Sequence, residues 1–189
     1  MKKLYYSLIL SALSLYGIAQ EFTVTTDGLR DAQDLSKSFV VIKADGIKSN
    51  NLYKNAVEYV IKNYTSPDDV IKGQIEGEYF KFITYVPNFL YVRKGSKIWL
   101  DANFTIELNF KDNKVKFEVI ALDIHTKQGN TPFSVIYSGS SFKGYQIYNK
   151  KGQLVRPDTK EDIENYFNAF VNSLAKGLVE EDSKDNEDW

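Results

Sequence analysis

The segment Ile98-Trp99-Leu100-Asp101-Ala102-Asn103-Phe104-Thr105-Ile106-Glu107-Leu108-Asn109-Phe110 is long and alternates apolar and polar residues from Leu100 onward. Leu100, Ala102, Phe104, Ile106, Leu108 and Phe110 fall on one side. Asp101, Asn103, Thr105, Glu107 and Asn109 fall on the other. A period of two is that of a strand with one covered and one wet face. Lys111-Asp112-Asn113-Lys114 reads as a hairpin loop. Val115, Phe117, Val119 and Ala121 then alternate with Lys116, Glu118 and Ile120 in the returning strand. One face of this pair is apolar over its whole length, so another layer must cover it.

Two helices are placed to do so. From about Asn50 to Tyr64, Leu52, Ala56, Tyr59 and Val60 share one side, with Tyr53, Val57, Ile61 and Tyr64 beside them. Lys54, Asn55, Glu58 and Lys62 lie opposite. Ser49 or Asn50 can cap this helix, and Pro67 ends the element. Near the C-terminus, Ile163, Phe167, Phe170, Val171, Leu174 and Leu178 form a second stripe, with Thr159 as expected cap and Asp162 at the capping-box position.

The remaining strands are read around this frame. Phe22–Thr25 is a short strand or arm turned by Asp27-Gly28, and Leu29–Lys37 is a linker or helical turn. Ser38–Ala44 is β-branched and bounded by Asp45-Gly46. Its near-continuous apolar run fits a strand covered on both faces or central to the sheet. Val70–Ile75 and Tyr79–Val86 are strands, and Pro87-Asn88 interrupts. Phe89–Arg93 reads as a flap or a further strand, followed by the basic turn Arg93–Lys97. His125–Gly144 is a long connection with one weak strand at Ser134–Tyr137. Tyr145–Tyr148 is a last short strand.

Aromatic residues make up 14% of the 189-residue chain, which suits a sheet with a substantial core. Cysteine is absent, which excludes disulfides, thiolate metal sites, a cysteine nucleophile and a lipidated cysteine anchor. Lys2 and Lys3 precede the mostly apolar run Leu4–Leu15, and Gly17-Ile18-Ala19 places small residues where a signal peptidase reads them. The expected organisation is a signal peptide over 1–19, an N-terminal arm or linker over 20–37, a single α+β domain over 38–179 and a disordered acidic tail over 180–189. The expected location is exported, periplasmic or secreted, with no transmembrane segment in the mature chain. Removing Lys2 and Lys3 with the leader, and six acids and Lys184 with the tail, leaves 21 basic and 19 acidic groups in the body. A net charge of +2 is too small to point to nucleic acid or an anionic membrane.

The run Leu52–Tyr64, then Val70-Ile71, then the alternating strand pair from Leu100 to Ile124 resembles the bacterial (Bacteroidetes) domain of unknown function 4468 family, of TBP-like fold. The resemblance covers roughly Phe39 to Ile124 and rests on core residues. It implies a curved antiparallel β-sheet with two helices packed on one face, in a family found mostly in exported proteins. It transfers no catalytic residue. The segment His125–Gly144 is where the chain departs from the pattern.

No chemistry-bearing motif stands out. His125 is the only histidine, with Asp123 nearby and Ser134, Ser138, Ser140 and Ser141 following, but no nucleophile elbow surrounds these serines. Glu76 and Glu78 flank Gly77, near Asp68 and Asp69, and read as solvated turn residues. Asp182, Asp185 and Asp188 lack the calcium-loop pattern, and Gly139 and Gly144 form no phosphate loop. No catalytic, cofactor or metal residue is assigned. The leading expectation is a non-enzymatic envelope binding or accessory module acting through the outer sheet face or a flap carrying Phe89, Tyr91 and Trp99. Its partner would be an envelope protein or a glycan. The second is a carrier of a small apolar ligand in a helix-over-sheet cavity lined by Tyr85, Phe104 and Phe167. The third is a hydrolase built on His125.

Overall fold

The computed structural model describes residues 21–127, 131–136 and 146–179. The leader over 1–19, the acidic tail over 180–189, Tyr137, Ser138, Gly139, Ser140, Ser141, Gly144 and Tyr145 lie outside the described residues. The elements are β1 (Phe22–Thr25), β2 (Gly28–Asp31), β3 (Phe39–Lys43), α1 (Ser49–Asn63), α2 (Pro67–Val70), β4 (Ile71–Ile75), β5 (Tyr79–Lys94), β6 (Ser96–Lys111), β7 (Lys114–Thr126), β8 (Pro132–Ile136), β9 (Gln146–Tyr148) and α3 (Pro157–Val179).

Among the described residues, β4-β5-β6-β7-β8-β9 form one curved, open sheet, and β3 pairs with β7 beside β8. Every pairing is antiparallel except β8 with β9. The fold class is therefore α+β, with α1 and α3 on one face. The alternation read in β6 is the one observed: Leu100, Ala102, Phe104, Ile106, Leu108 and Phe110 are all buried. They face Leu52, Ala56 and Val60 of α1, and Ile163, Phe167, Val171, Leu174 and Leu178 of α3, in one core. β1 and β2 form a separate hairpin whose Phe22, Val24 and Leu29 enter the same core.

Several local expectations are corrected. Neither Ser49 nor Asn50 caps α1. The cap position is Lys48, without a side-chain bond, and the Ser49 N–H instead donates to Asp112 Oδ1 in the β6–β7 turn at 2.9 Å. Ile61 is exposed rather than part of the apolar side. Pro67 opens α2, and Val70 ends that turn rather than beginning a strand. Thr159 is buried inside the first turn of α3, which Pro157 opens, because the fixed φ of proline suits the first helical position. β3 is not covered on both faces throughout: Val40 and Ile42 are buried, Phe39 and Val41 are partly covered, Lys43 is exposed, and the strand pairs with β7.

β5 and β7 depart most from the sequence reading. Pro87-Asn88 does not end a strand: β5 continues to Lys94, and its register with β6 shifts between Val86 and Leu90. Asn88 takes φ 53°, the left-handed conformation that asparagine tolerates at a bulge. In β7 the register shifts where Thr105 meets Ala121 and Ile106 meets Val119. The extra residue, Ile120, reverses the parity. Ala121 therefore faces solvent, and the inward positions beyond it are Leu122, Ile124 and Thr126.

Gly77 closes the β4–β5 turn at φ 72°, and a methyl group there would overlap Asn50 Oδ1 on α1. Replacing Gly77 with alanine is expected to lower stability by roughly 1–2 kcal/mol, since left-handed backbone costs an L-residue about that much. Urea denaturation of the variant measures it. A change near zero would mean that the turn adopts another conformation without cost.

Candidate functional site

The sheet leaves its second face open, and one end of it gathers aromatic and charged side chains. β5 and β6 turn at Gly95, whose φ of 76° permits the tight reversal. Tyr91 and Trp99 stand directly opposite each other on the outer face, with ring centroids 5.5 Å apart at 67°. Such cross-strand aromatic pairs stabilise a hairpin arm. Lys97 Nζ lies 3.8 Å from the Tyr91 centroid and 4.3 Å from that of Trp99. Arg93 Cζ approaches the Tyr91 ring at 5.9 Å. Trp99 remains 41% exposed, beside an open concavity of about 380 Å³ formed with Ser96, Lys97, Ile98, Thr126, Lys127 and Thr131.

Asp101 sits next along β6. It belongs to the outer face by parity yet is only 4% exposed, because the β5 bulge folds over it. The Tyr85 hydroxyl donates to Asp101 Oδ2 and the Asn88 N–H donates to Oδ1, both at 2.8 Å. The Asn88 N–H, then the Tyr85 hydroxyl, hold this carboxyl below the usual aspartate range. Burial opposes them, and the charges of Lys127 and His125 add to the lowering. The same hydrogen bond to Asp101 is the main cause that raises the Tyr85 phenol above its ordinary value. His125 lies opposite Asp101 across the β6–β7 ladder, and its Nδ1 stands 3.6 Å from Asp123 Oδ2 without a hydrogen bond. With both oxygens of Asp101 taken, this cluster fixes the bulge.

The flap expected at Phe89, Tyr91 and Trp99 is divided by the bulge. Phe89 turns to the helix side and packs edge-on against Tyr166 at 4.7 Å and near Phe167 at 6.3 Å. Tyr91 and Trp99 stay outside and are brought together. The cavity set Tyr85, Phe104 and Phe167 is likewise split across the sheet. Tyr85 is 55% exposed on the outer face, whereas Phe104 and Phe167 are buried against each other with centroids 5.1 Å apart. Phe82, Phe117, Tyr166 and Phe170 occupy the space around them. The Asp101–Asn88 link and the position of Lys97 over both rings escaped the sequence reading. A proline-asparagine step inside a β-prone run is the signal that could have revealed the bulge.

Among the described residues no helix is long and apolar enough to cross a membrane, and no group of three histidine, cysteine or acidic residues is placed to hold a metal. No family model matches the chain, and no curated protein matches it. Solved structures similar to it include a DUF4468 family protein from Bacteroides ovatus, 13% identical, with 78% of this chain and 90% of that chain covered and a TM-score of 0.47. Another is a TBP-like protein from Parabacteroides distasonis, also 13% identical, with 72% and 89% covered and a TM-score of 0.48.

Proposed function

We propose that the chain is an exported, non-enzymatic binding module of the cell envelope, and that it holds an envelope protein through the outer face of the β5–β6 hairpin. One observation carries the reading: partly covered Tyr91 and exposed Trp99 form a cross-strand pair on the outer face, flanked by Arg93 and Lys97. Tyrosine, tryptophan and arginine are the residue types that dominate the energetics of protein interfaces. The strand ladder beneath holds both rings in place, which lowers the entropy lost on binding. The basic n-region, apolar run and Gly17-Ile18-Ala19 at the N-terminus support export.

A photo-crosslinking amino acid at position 99, expressed in the native envelope, tests the proposal. The expected result is one discrete protein adduct that disappears when the probe is moved to the exposed position 72 on β4. Tyr91→Ala, with the probe kept at 99, should weaken capture about tenfold or more, the effect of losing a hot-spot side chain. Equal adducts from positions 72 and 99, or capture unaffected by Tyr91→Ala, would overturn the assignment of this surface. N-terminal sequencing of the same preparation is expected to begin at Gln20.

A further inference from the structure

The opposite end of the outer face carries a second arrangement that the aromatic surface does not use. Lys43 of β3 is directly opposite Lys114 of β7, and Lys114 is directly opposite Lys111 of β6. Residues paired in register share a face, so three lysines form one row across three adjacent strands. At the usual strand spacing the row is about 10 Å wide. Like charges placed directly opposite each other destabilise a ladder. The neighbouring acids do not relieve this row. Asp112 is taken by Lys48 and the Ser49 N–H, both at 2.9 Å. Glu118 is taken by Lys116 at 2.6 Å and by the Ser38 hydroxyl, and Glu107 by the Tyr79 hydroxyl at 2.6 Å and Lys81 at 3.5 Å. Among the described residues Lys43, Lys111 and Lys114 have no acidic partner.

The next row in the same register is Val41, Lys116 and Asn109. Together with Lys111 and Lys114 these three line an open concavity of about 380 Å³. The concavity therefore offers ammonium groups on one rim, a side-chain amide and an apolar wall. We propose that this end of the outer face is a binding site for a phosphate monoester, with the phosphoryl group held by Lys43, Lys111 and Lys114 and its organic part lying along Val41 and Asn109. A compact dianion fits a short row of point charges. A nucleic-acid backbone would need a long basic track, and here the row beyond Asn109 and Lys116 carries Glu107 and Glu118. The ester has two sources, a soluble metabolite or a lipid headgroup.

Titration of the isotope-labelled protein with glycerol phosphate, at constant ionic strength and with sodium chloride as reference, tests the site. The expected result is saturable shifts of the Lys43, Lys111 and Lys114 amides and of the Asn109 side-chain amide. Lys114→Gln should weaken the midpoint at least tenfold, Lys114→Arg should keep most of it, and Lys72→Gln on β4 should leave it unchanged. Flotation with phosphatidate vesicles, competed away by glycerol phosphate and abolished by Lys114→Gln, would assign the ester to a lipid headgroup. Saturable binding without flotation would assign it to a soluble ligand. Shifts that follow chloride equally, do not saturate or persist in Lys114→Gln would overturn the proposal.

Discussion

Replacing Phe104 with alanine is expected to lower the unfolding free energy by about 3–5 kcal/mol. Phe104 is 1% exposed at the middle of β6. Its ring meets Phe167 at 5.1 Å, Tyr166 at 5.8 Å and Phe170 at 6.3 Å, three residues of α3. Truncation removes the transfer free energy of the ring and leaves a cavity between two rigid layers. α3 cannot close onto the gap without disturbing Phe89, which packs on Tyr166 and Phe167 from the bulge. Domains of this size are stable by about 5–15 kcal/mol in all, so the variant would lie near the threshold of folding. Urea denaturation should show a fall in midpoint with an unchanged slope. The double variant with Phe167→Ala should lose less than the two single losses together, by about 0.5–1.5 kcal/mol, the usual coupling of an aromatic pair. A loss below about 1.5 kcal/mol for Phe104→Ala would mean that the helix layer collapses freely onto the sheet. The apolar-carrier reading would then regain ground, because a yielding interface can open to a ligand.

The features legible in the sequence are those with a local cause. The two faces of β6 follow from period two alone, and the stripes of α1 and α3 follow from spacings of three and four. The features that were not legible depend on register. Pro87-Asn88 signals a break in any local reading. The chain absorbs it as a bulge because Asp101, distant in sequence but adjacent in the ladder, accepts the Asn88 N–H. That bulge decides which of Phe89, Tyr91 and Trp99 face solvent, so the composition of the aromatic surface could not be read before the pairing was known. Ile120 plays the same part in β7, where one extra residue moves Ala121 outward. The cap of α1 comes from Asp112 on a turn far along the chain. The lysine row has the same origin: Lys43 and Lys114 become neighbours only when β3 is laid against β7.

Replacing Glu164 with alanine is expected to cost roughly 2 kcal/mol at neutral pH, and the difference between wild type and Glu164→Gln should shrink in acid. The Glu164 carboxylate on α3 accepts the Thr23 hydroxyl at 2.6 Å and the Val24 N–H at 2.7 Å, and it pairs with Lys160. It is thus one of the ties between the β1–β2 hairpin and the helix layer. Further ties from α3 are the Asn168 side chain, which bonds both main-chain groups of Phe22, and Lys160, which donates to the Thr23 hydroxyl at 3.3 Å, while from β9 the Tyr148 hydroxyl donates to the Val24 carbonyl. Truncation leaves the Val24 N–H without its charged acceptor in a partly covered site, where water only partly replaces it. Burial alone would raise this carboxyl. The bonds from Lys160, Thr23 and the Val24 N–H outweigh burial and bring it below the usual glutamate value of 4.5. Because the folded-state value is depressed, the carboxylate's contribution is fully present above pH 4.5 and is lost as the pH falls through the folded value. Wild type and Glu164→Gln should therefore differ most at neutral pH and converge below the folded value, because a protonated Glu164 resembles the amide. Denaturation at pH 7 and pH 3 measures the convergence, and the shared background from other acids cancels between the two proteins. Amide exchange at Val24 supplies a local readout, since its N–H should exchange faster in Glu164→Ala while Phe117, deep in the sheet, stays protected. No difference between wild type and Glu164→Gln at either pH, with Glu164→Ala still destabilised, would show that packing of the Glu164 stem, and not its charge, holds the hairpin to α3.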